Sequence, residues 1–143
     1  MVIQQETAST NRQECLPRGN AASEMWAGVL EDYKKQNQTP RLFSRSFSID
    51  TPYKLISRTG ISDSFGGKTF NEGWKSFYSR YPDSQGYIEL SAVGFNADKT
   101  KAFVYIAHHC DTLCGASGYT FLGKRNGKWV KAPANASFCG WIS

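Results

Sequence analysis

The chain has 143 residues, 40 % of them hydrophobic, which is most simply one domain with one buried core. Nine Phe, seven Tyr and four Trp favour a substantial sheet, and no apolar run approaches the eighteen residues of a membrane-spanning helix, so the chain is not transmembrane. The net charge of +5 is scattered over residues such as Arg41, Arg58, Lys101 and Lys128, with no basic block and no nucleic-acid-binding motif. That pattern argues against a nucleic-acid partner and suits a protein partner or an anionic cell-surface ligand.

Residues 1–19 are polar and without period, and they read as a tail ahead of a single α+β domain over 20–143. Met1 to Glu6 lack the charged and apolar regions of a signal peptide, which by itself suggests a cytoplasmic chain. A chain whose signal has been removed would look the same. From Ala21 to Gln36, Met25, Trp26, Val29, Leu30 and Tyr33 form one stripe of an amphipathic helix, with Asn20 or Ser23 as N-cap and Pro40 beyond its end. Residues 40–52 form a basic and aromatic linker. Tyr53 to Thr59, between Pro52 and Gly60, is β-prone and predicts a first strand.

Ser64-Phe65-Gly66-Gly67-Lys68 lacks the spacing of a phosphate-binding loop and reads as flexible. Thr69 and Glu72 then form a capping box, in which hydroxyl and carboxylate satisfy each other's free backbone N–H groups. Phe70, Trp74, Phe77, Tyr78 and Tyr81 follow at helical spacing, and Pro82 stops the helix. Such an aromatic stripe needs a flat surface to cover, and a sheet supplies one.

Tyr87 to Phe95 and Lys101 to His109 are two strands around a turn at residues 96–100. An odd loop pairs Leu90 with Ile106, Ser91 with Tyr105 and Ala92 with Val104. That register separates an aliphatic face (Ile88, Leu90, Ala92, Val104, Ile106) from an aromatic and polar one, whereas an even loop mixes the two; a one-residue slip inverts every side chain. Tyr119 to Arg125 and Lys128 to Pro133 are joined by Asn126-Gly127, a strong hairpin signal because a type I′ turn needs positive φ at both positions. The expected fold is α+β: an antiparallel meander of four to five strands with two helices packed on its aliphatic face. The other face would then present Tyr87, Glu89, Phe103, Tyr105, His109, Tyr119 and Phe121 as a binding surface, unless the N-terminal helix or residues 40–52 cover it.

From Tyr81 onward the chain resembles a group of uncharacterised, often exported bacterial proteins. The likeness rests on Tyr81-Pro82, Ser84, Gly86, Leu90-Ser91, Val93-Gly94-Phe95-Asn96, Cys110, Cys114-Gly115, Gly127-Lys128-Trp129 and Trp141-Ile142-Ser143. It covers about sixty residues and implies a small α+β domain with a helix-backed antiparallel sheet, cystatin-like or nuclear-transport-factor-like in appearance. It implies no activity. This chain departs from the pattern in having Asp111 where a Gly commonly follows the first cysteine, which argues against a turn requiring Gly there.

His108-His109-Cys110-Asp111-Thr112-Leu113-Cys114 admits three chemistries. As a zinc site, His108, Cys110 and Cys114 would supply three ligands, but a second paired knuckle is missing. As a nucleophile and base, Cys110 would need a histidine within reach. Strand alternation puts His109 on the opposite face, and His108 beside Cys110 on a face expected to be buried. A Cys110–Cys114 disulfide asks least, with Cys15 joined to Cys139, and this even cysteine count points to export. Asn37-Gln38-Thr39 and Asn135-Ala136-Ser137 are glycosylation sequons, meaningful only in a glycosylating host.

No dinucleotide, phosphate-loop or zinc-protease motif occurs, so no cofactor is expected. The leading expectation is a non-enzymatic binding or inhibitor-type module, monomer or homodimer, acting through the aromatic face or the 110–117 loop. The alternative is a small-molecule-binding or hydrolytic enzyme with Glu89, His109 and Tyr105 in a pocket between sheet and helices. In a water-poor groove the Glu89 pKa would rise, as a general acid–base requires.

Overall fold

The computed structural model describes residues 1–8, 24–43, 47–111, 113–132 and 142. Its elements in chain order are β1 (Val2–Gln4), α1 (Glu24–Gln36), β2 (Lys54–Ile56), α2 (Arg58–Phe65), α3 (Phe70–Arg80), β3 (Tyr87–Leu90), β4 (Gly94–Phe95), β5 (Lys101–His109), β6 (Ala116–Arg125) and β7 (Lys128–Lys131). The fold is α+β, but its sheet is larger than a meander. Among the described residues seven strands run in the order β2-β1-β3-β5-β6-β7, with β4 on the same side of β5 as β3. Pairing is antiparallel from β3 to β7 and parallel where β1 joins β2 and β3, so the sheet is mixed.

Three expectations are corrected at the N-terminal side. The stretch expected to be a polar tail contributes β1, inserted between β2 and β3, with Val2, Ile3 and Gln4 all buried. Val-Ile is a short β-branched run, and two strand neighbours satisfy its backbone, which no tail could do. The strand expected over 53–59 is only three residues long. At Ser57 the chain turns into a helix that the sequence reading missed, where the Ser57 hydroxyl accepts the Gly60 N–H at 3.0 Å. The Gly-rich stretch expected to be a flexible loop is partly α2: Ser64 and Phe65 are helical, and Phe65 packs edge-on to Trp74. Asn20, Ser23, Cys15, Asn135 and Cys139 lie outside the described residues.

The capping box of α3 forms as expected, with Glu72 accepting the Thr69 N–H at 2.9 Å. Asn126 and Gly127 both have positive φ in the β6–β7 turn. The β3–β5 register matches the odd-loop expectation at Leu90↔Ile106, and Ser91 N–H donates to the Tyr105 carbonyl. Beyond Ser91 it fails. Gly94 pairs with Phe103 and Phe95 with Ala102, so three residues (91–93) stand opposite two (104–105): a bulge. Ser91 makes it, its buried hydroxyl accepting the Tyr105 N–H at 2.9 Å in place of a backbone carbonyl. The slip turns Phe95 to the opposite face, against Trp129, and sets Gly94 beside the helix.

The helices cover the aromatic face, the reverse of the expected packing. Phe103, Tyr119 and Phe121 of β5 and β6 are buried with Val29, Leu30 and Tyr33 of α1 in one cluster. Val2 of β1 is buried with Ile56, Ile61, Trp74 and Phe77 in a second, against which Tyr87 packs. Tyr87 and His109 are stacked partners on this same face. The expected outer surface is therefore largely core. On the other face Ile106 is 43 % exposed.

Helix α1 is fastened to the bulge by two polar clamps. Asn37, buried just after the helix, donates through Nδ2 to the carbonyls of Tyr33 (2.9 Å) and Ala92 (3.0 Å) and accepts the Ala92 N–H at 2.8 Å. Asp32 accepts the Phe95 N–H at 2.8 Å. With both ends of its amide engaged, Asn37 is no glycan acceptor in the folded protein.

Candidate functional site, a Glu89–His109 pair between two apolar clusters

Between the α1 cluster and the α2–α3 cluster the covered face carries a polar strip. Register alone places Glu89 there: β3 sets it beside Ala107, with His109 two residues further along β5 on the same face. His109 Nε2 lies 3.1 Å from Glu89 Oε2. A carboxylate only accepts, so Nε2 carries the proton in this pair. The His109 ring stacks on Tyr87, centroids 4.6 Å apart, which leaves it little rotational freedom. Arg58, at the start of α2, brings Nη2 to 4.0 Å from Glu89 Oε1, and its backbone N–H donates to Glu6 at 2.8 Å. The Gln4 amide, on neighbouring β1, donates to the Glu6 carbonyl at 2.9 Å and also favours the ionised form of Glu89.

These partners settle the protonation of the acid. The hydrogen bond from His109 lowers the Glu89 pKa first and outweighs the burial that raises it; the charges of His109 and Arg58 and the Gln4 amide lower it further. The expectation of a raised value is corrected, because the groove is not empty of donors. Glu89 stays ionised at neutral pH and serves as the acceptor that orients His109, not as a proton donor. Burial, chiefly, pushes the Tyr87 hydroxyl up to about 12, so Tyr87 is a stacking platform and not an acid or base at neutral pH. The Glu89 and His109 side chains are 20 % and 24 % exposed, so solvent reaches both.

Of the residues expected to act together, Glu89, His109 and Tyr87 meet here. Tyr105 does not: four residues from His109 along β5, about 13 Å at the usual rise, it packs beside Tyr119 against the α1 cluster. Phe103, Tyr119 and Phe121 are core, not surface. Gln4, Glu6 and Arg58 were missed, because the segments that hold them had been assigned to a tail and a strand.

The 110–114 loop follows the end of β5, where the Asp111 N–H donates to the Tyr78 hydroxyl of α3 at 3.4 Å. Cys110 and Cys114 are joined, with Cα atoms 5.8 Å apart. Both thiols being spent on each other, the zinc set of His108, Cys110 and Cys114 and the thiol nucleophile are ruled out in this form. No cluster of three or more metal-ligating side chains occurs among the described residues. The turn closes with Leu113, not residue 111, in the left-handed region at φ 65°, so the Gly missing at Asp111 is not needed. Leu113 is 82 % exposed. No helix among the described residues is long and apolar enough to cross a membrane. Compared with family models, curated proteins and solved structures, the chain finds no match.

Proposed function

We propose that the chain is a ligand-binding domain that takes a small polar molecule at the Glu89–His109 pair. The observation that supports this is the pair itself: an ionised carboxylate and an imidazole at 3.1 Å, part-exposed, on a sheet face otherwise given to two apolar clusters. Burying polar groups costs free energy that an apolar strip would not, and charge-paired, partly desolvated groups gather at functional sites. Arg58 adds donors, while Glu6 and Glu89 offset its charge, so a neutral polar or zwitterionic ligand suits the strip better than a bare anion. The same geometry is the beginning of acid–base chemistry, with Glu89 orienting His109, and keeps hydrolysis within the scope of the site.

The test is ligand-observed and imidazole-observed NMR against a fragment set of small amides, amino acids and polyols. Shifts centred on His109, Tyr87 and Arg58, abolished by Glu89→Gln, support the reading. Shifts confined to residues 110–117, or none at all, overturn it. The 110–117 outcome would favour a second reading, an inhibitor-type module presenting the disulfide-closed loop, which the 82 % exposure of Leu113 supports. An exported protein is the setting we infer for either, because a disulfide persists in an oxidising compartment.

A further inference from the structure

The two sulfurs of the Cys110–Cys114 bridge have unlike surroundings. Cys110 is 5 % exposed, at the end of β5, whereas Cys114 lies exposed beside the Leu113 apex. Cys114 is thus the side of the bridge turned to solvent, its Sγ 3.1 Å from the Asp111 carbonyl, and Cys110 is the shielded side. On the buried side, His108 Nδ1 lies 3.9 Å from Cys110 Sγ. The other ring nitrogen, Nε2, is 2.7 Å from the Gln85 carbonyl, which only accepts. That bond puts the proton on Nε2 and turns the Nδ1 lone pair towards sulfur. His108 also lines an open cavity of about 440 Å³ with Asp83, Gln85 and Ile88, which gives the ring access to solvent protons. Gly86, at φ 104°, holds this arrangement closed: a Cβ there would meet the His109 carbonyl at 2.0 Å and Cys110 Cβ at 2.9 Å, so the 85–86 turn lies directly on the Cys110 backbone.

We propose that Cys110–Cys114 is an exchangeable disulfide with a fixed direction of attack, in which a small thiolate adds to Cys114 and Cys110 leaves against His108. In the first step the thiolate sulfur bonds to Cys114 Sγ, the bond between the two cysteine sulfurs breaks, and its electron pair stays on Cys110. Cys110 then takes a proton relayed from solvent through Nδ1, or keeps its charge beside the protonated ring. A second thiolate attacks the added sulfur and releases Cys114. Two small thiols are oxidised to one disulfide, and the protein bridge is reduced to two thiols. A sulfur that leaves beside a group able to hand it a proton departs more readily, and His108 is the ring within reach of Cys110 Sγ.

The experiment uses the full chain under native conditions, with reduced glutathione as the thiol, acid quenching, and peptide mass spectrometry that resolves each cysteine. The expected intermediate carries glutathione on Cys114 with Cys110 free, and His108→Gln slows its formation by about tenfold. Glutathione on Cys110, or a bridge that resists reduction until the protein is unfolded, overturns the proposal. A His108→Gln rate within twofold of the parent removes the imidazole from it. Because attack position is read on the unaltered chain, the outcome does not depend on how well the variant folds.

Discussion

Replacing Asn37 by alanine tests how α1 is fastened to the sheet. The substitution deletes three hydrogen bonds of 2.8 to 3.0 Å, but their losses are unequal. The Tyr33 carbonyl still accepts the backbone N–H of residue 37, and the Ala92 carbonyl still accepts the Ser91 hydroxyl at 2.9 Å. Only the Ala92 N–H loses its acceptor among the described residues. A stranded, partly buried donor costs about 1–3 kcal/mol and each of the two re-satisfied bonds about 0.5–1.5 kcal/mol, giving roughly 2–6 kcal/mol in all. Unfolding entropy for a chain of 143 residues is about 0.3 kcal/mol per degree, so Tm should fall by about 7–20 °C in a calorimetric or circular-dichroism melt. Asn37→Asp keeps the size and reverses the donors, setting a carboxylate against two carbonyls. Its folded pKa should therefore rise, and its deficit should shrink as pH falls and the protonated acid regains one donor. An alanine variant melting within 2 °C of the parent, or an aspartate variant whose deficit ignores pH, would refute the clamp.

Three further outcomes follow from contacts already described. Gly94→Ala drives a Cβ to 2.5 Å from the backbone nitrogen of Tyr33, where only movement of α1 relieves it, and should cost about 1–3 kcal/mol by chemical denaturation. A neutral result would mean the helix does not sit so close. Thr69→Ala removes half of the capping box and should lower stability by about 0.5–2 kcal/mol, while leaving Tyr87 and His109 chemical shifts unchanged. For Glu89, a folded pKa held below the ordinary 4.5 means its contribution is complete above that value and is lost as pH falls through the lower folded one. Glu89→Gln should flatten that acid limb of the stability profile; an unchanged limb would remove the carboxylate from the pairing.

Elements that carry their own punctuation were legible in the sequence. The α3 helix announces itself through Thr69, Glu72 and Pro82, and the last hairpin through Asn126-Gly127, because each signal acts within a few residues. What was missed depends on partners far along the chain. Val2-Ile3-Gln4 is too short to read as a strand alone and becomes one between residues 54–56 and 87–88. Ser57 with Ile61 and Phe65 did hold a signal, a cap followed by apolar residues four apart, obscured by Gly60 within it. Recognising it would have placed Arg58 at a helix start near the sheet. Of the site, the face shared by Glu89 and His109 followed from alternation, while their neighbours Gln4 and Arg58 required the parallel strands.

Alternation separates the two faces of a sheet but does not say which one is inside, and burial energy decides that. Burial scales with apolar area, at about 25 cal/mol per Å², so a face offering the rings of Phe103, Tyr105, Tyr119 and Phe121 outweighs one offering Ala102, Val104, Ile106 and Leu122. The aromatic side therefore had the stronger claim on the helices, and Gly94 lets α1 approach it closely enough to collect. Once two separate helical units share that face, the strand rows between them remain partly open to water, and apolar residues there would gain little. A polar pair is tolerated at that seam, and Glu89 with His109 occupies it. Covering the aromatic face thus removes the broad exposed surface expected from sequence and leaves on it a carboxylate and an imidazole, side by side and partly exposed.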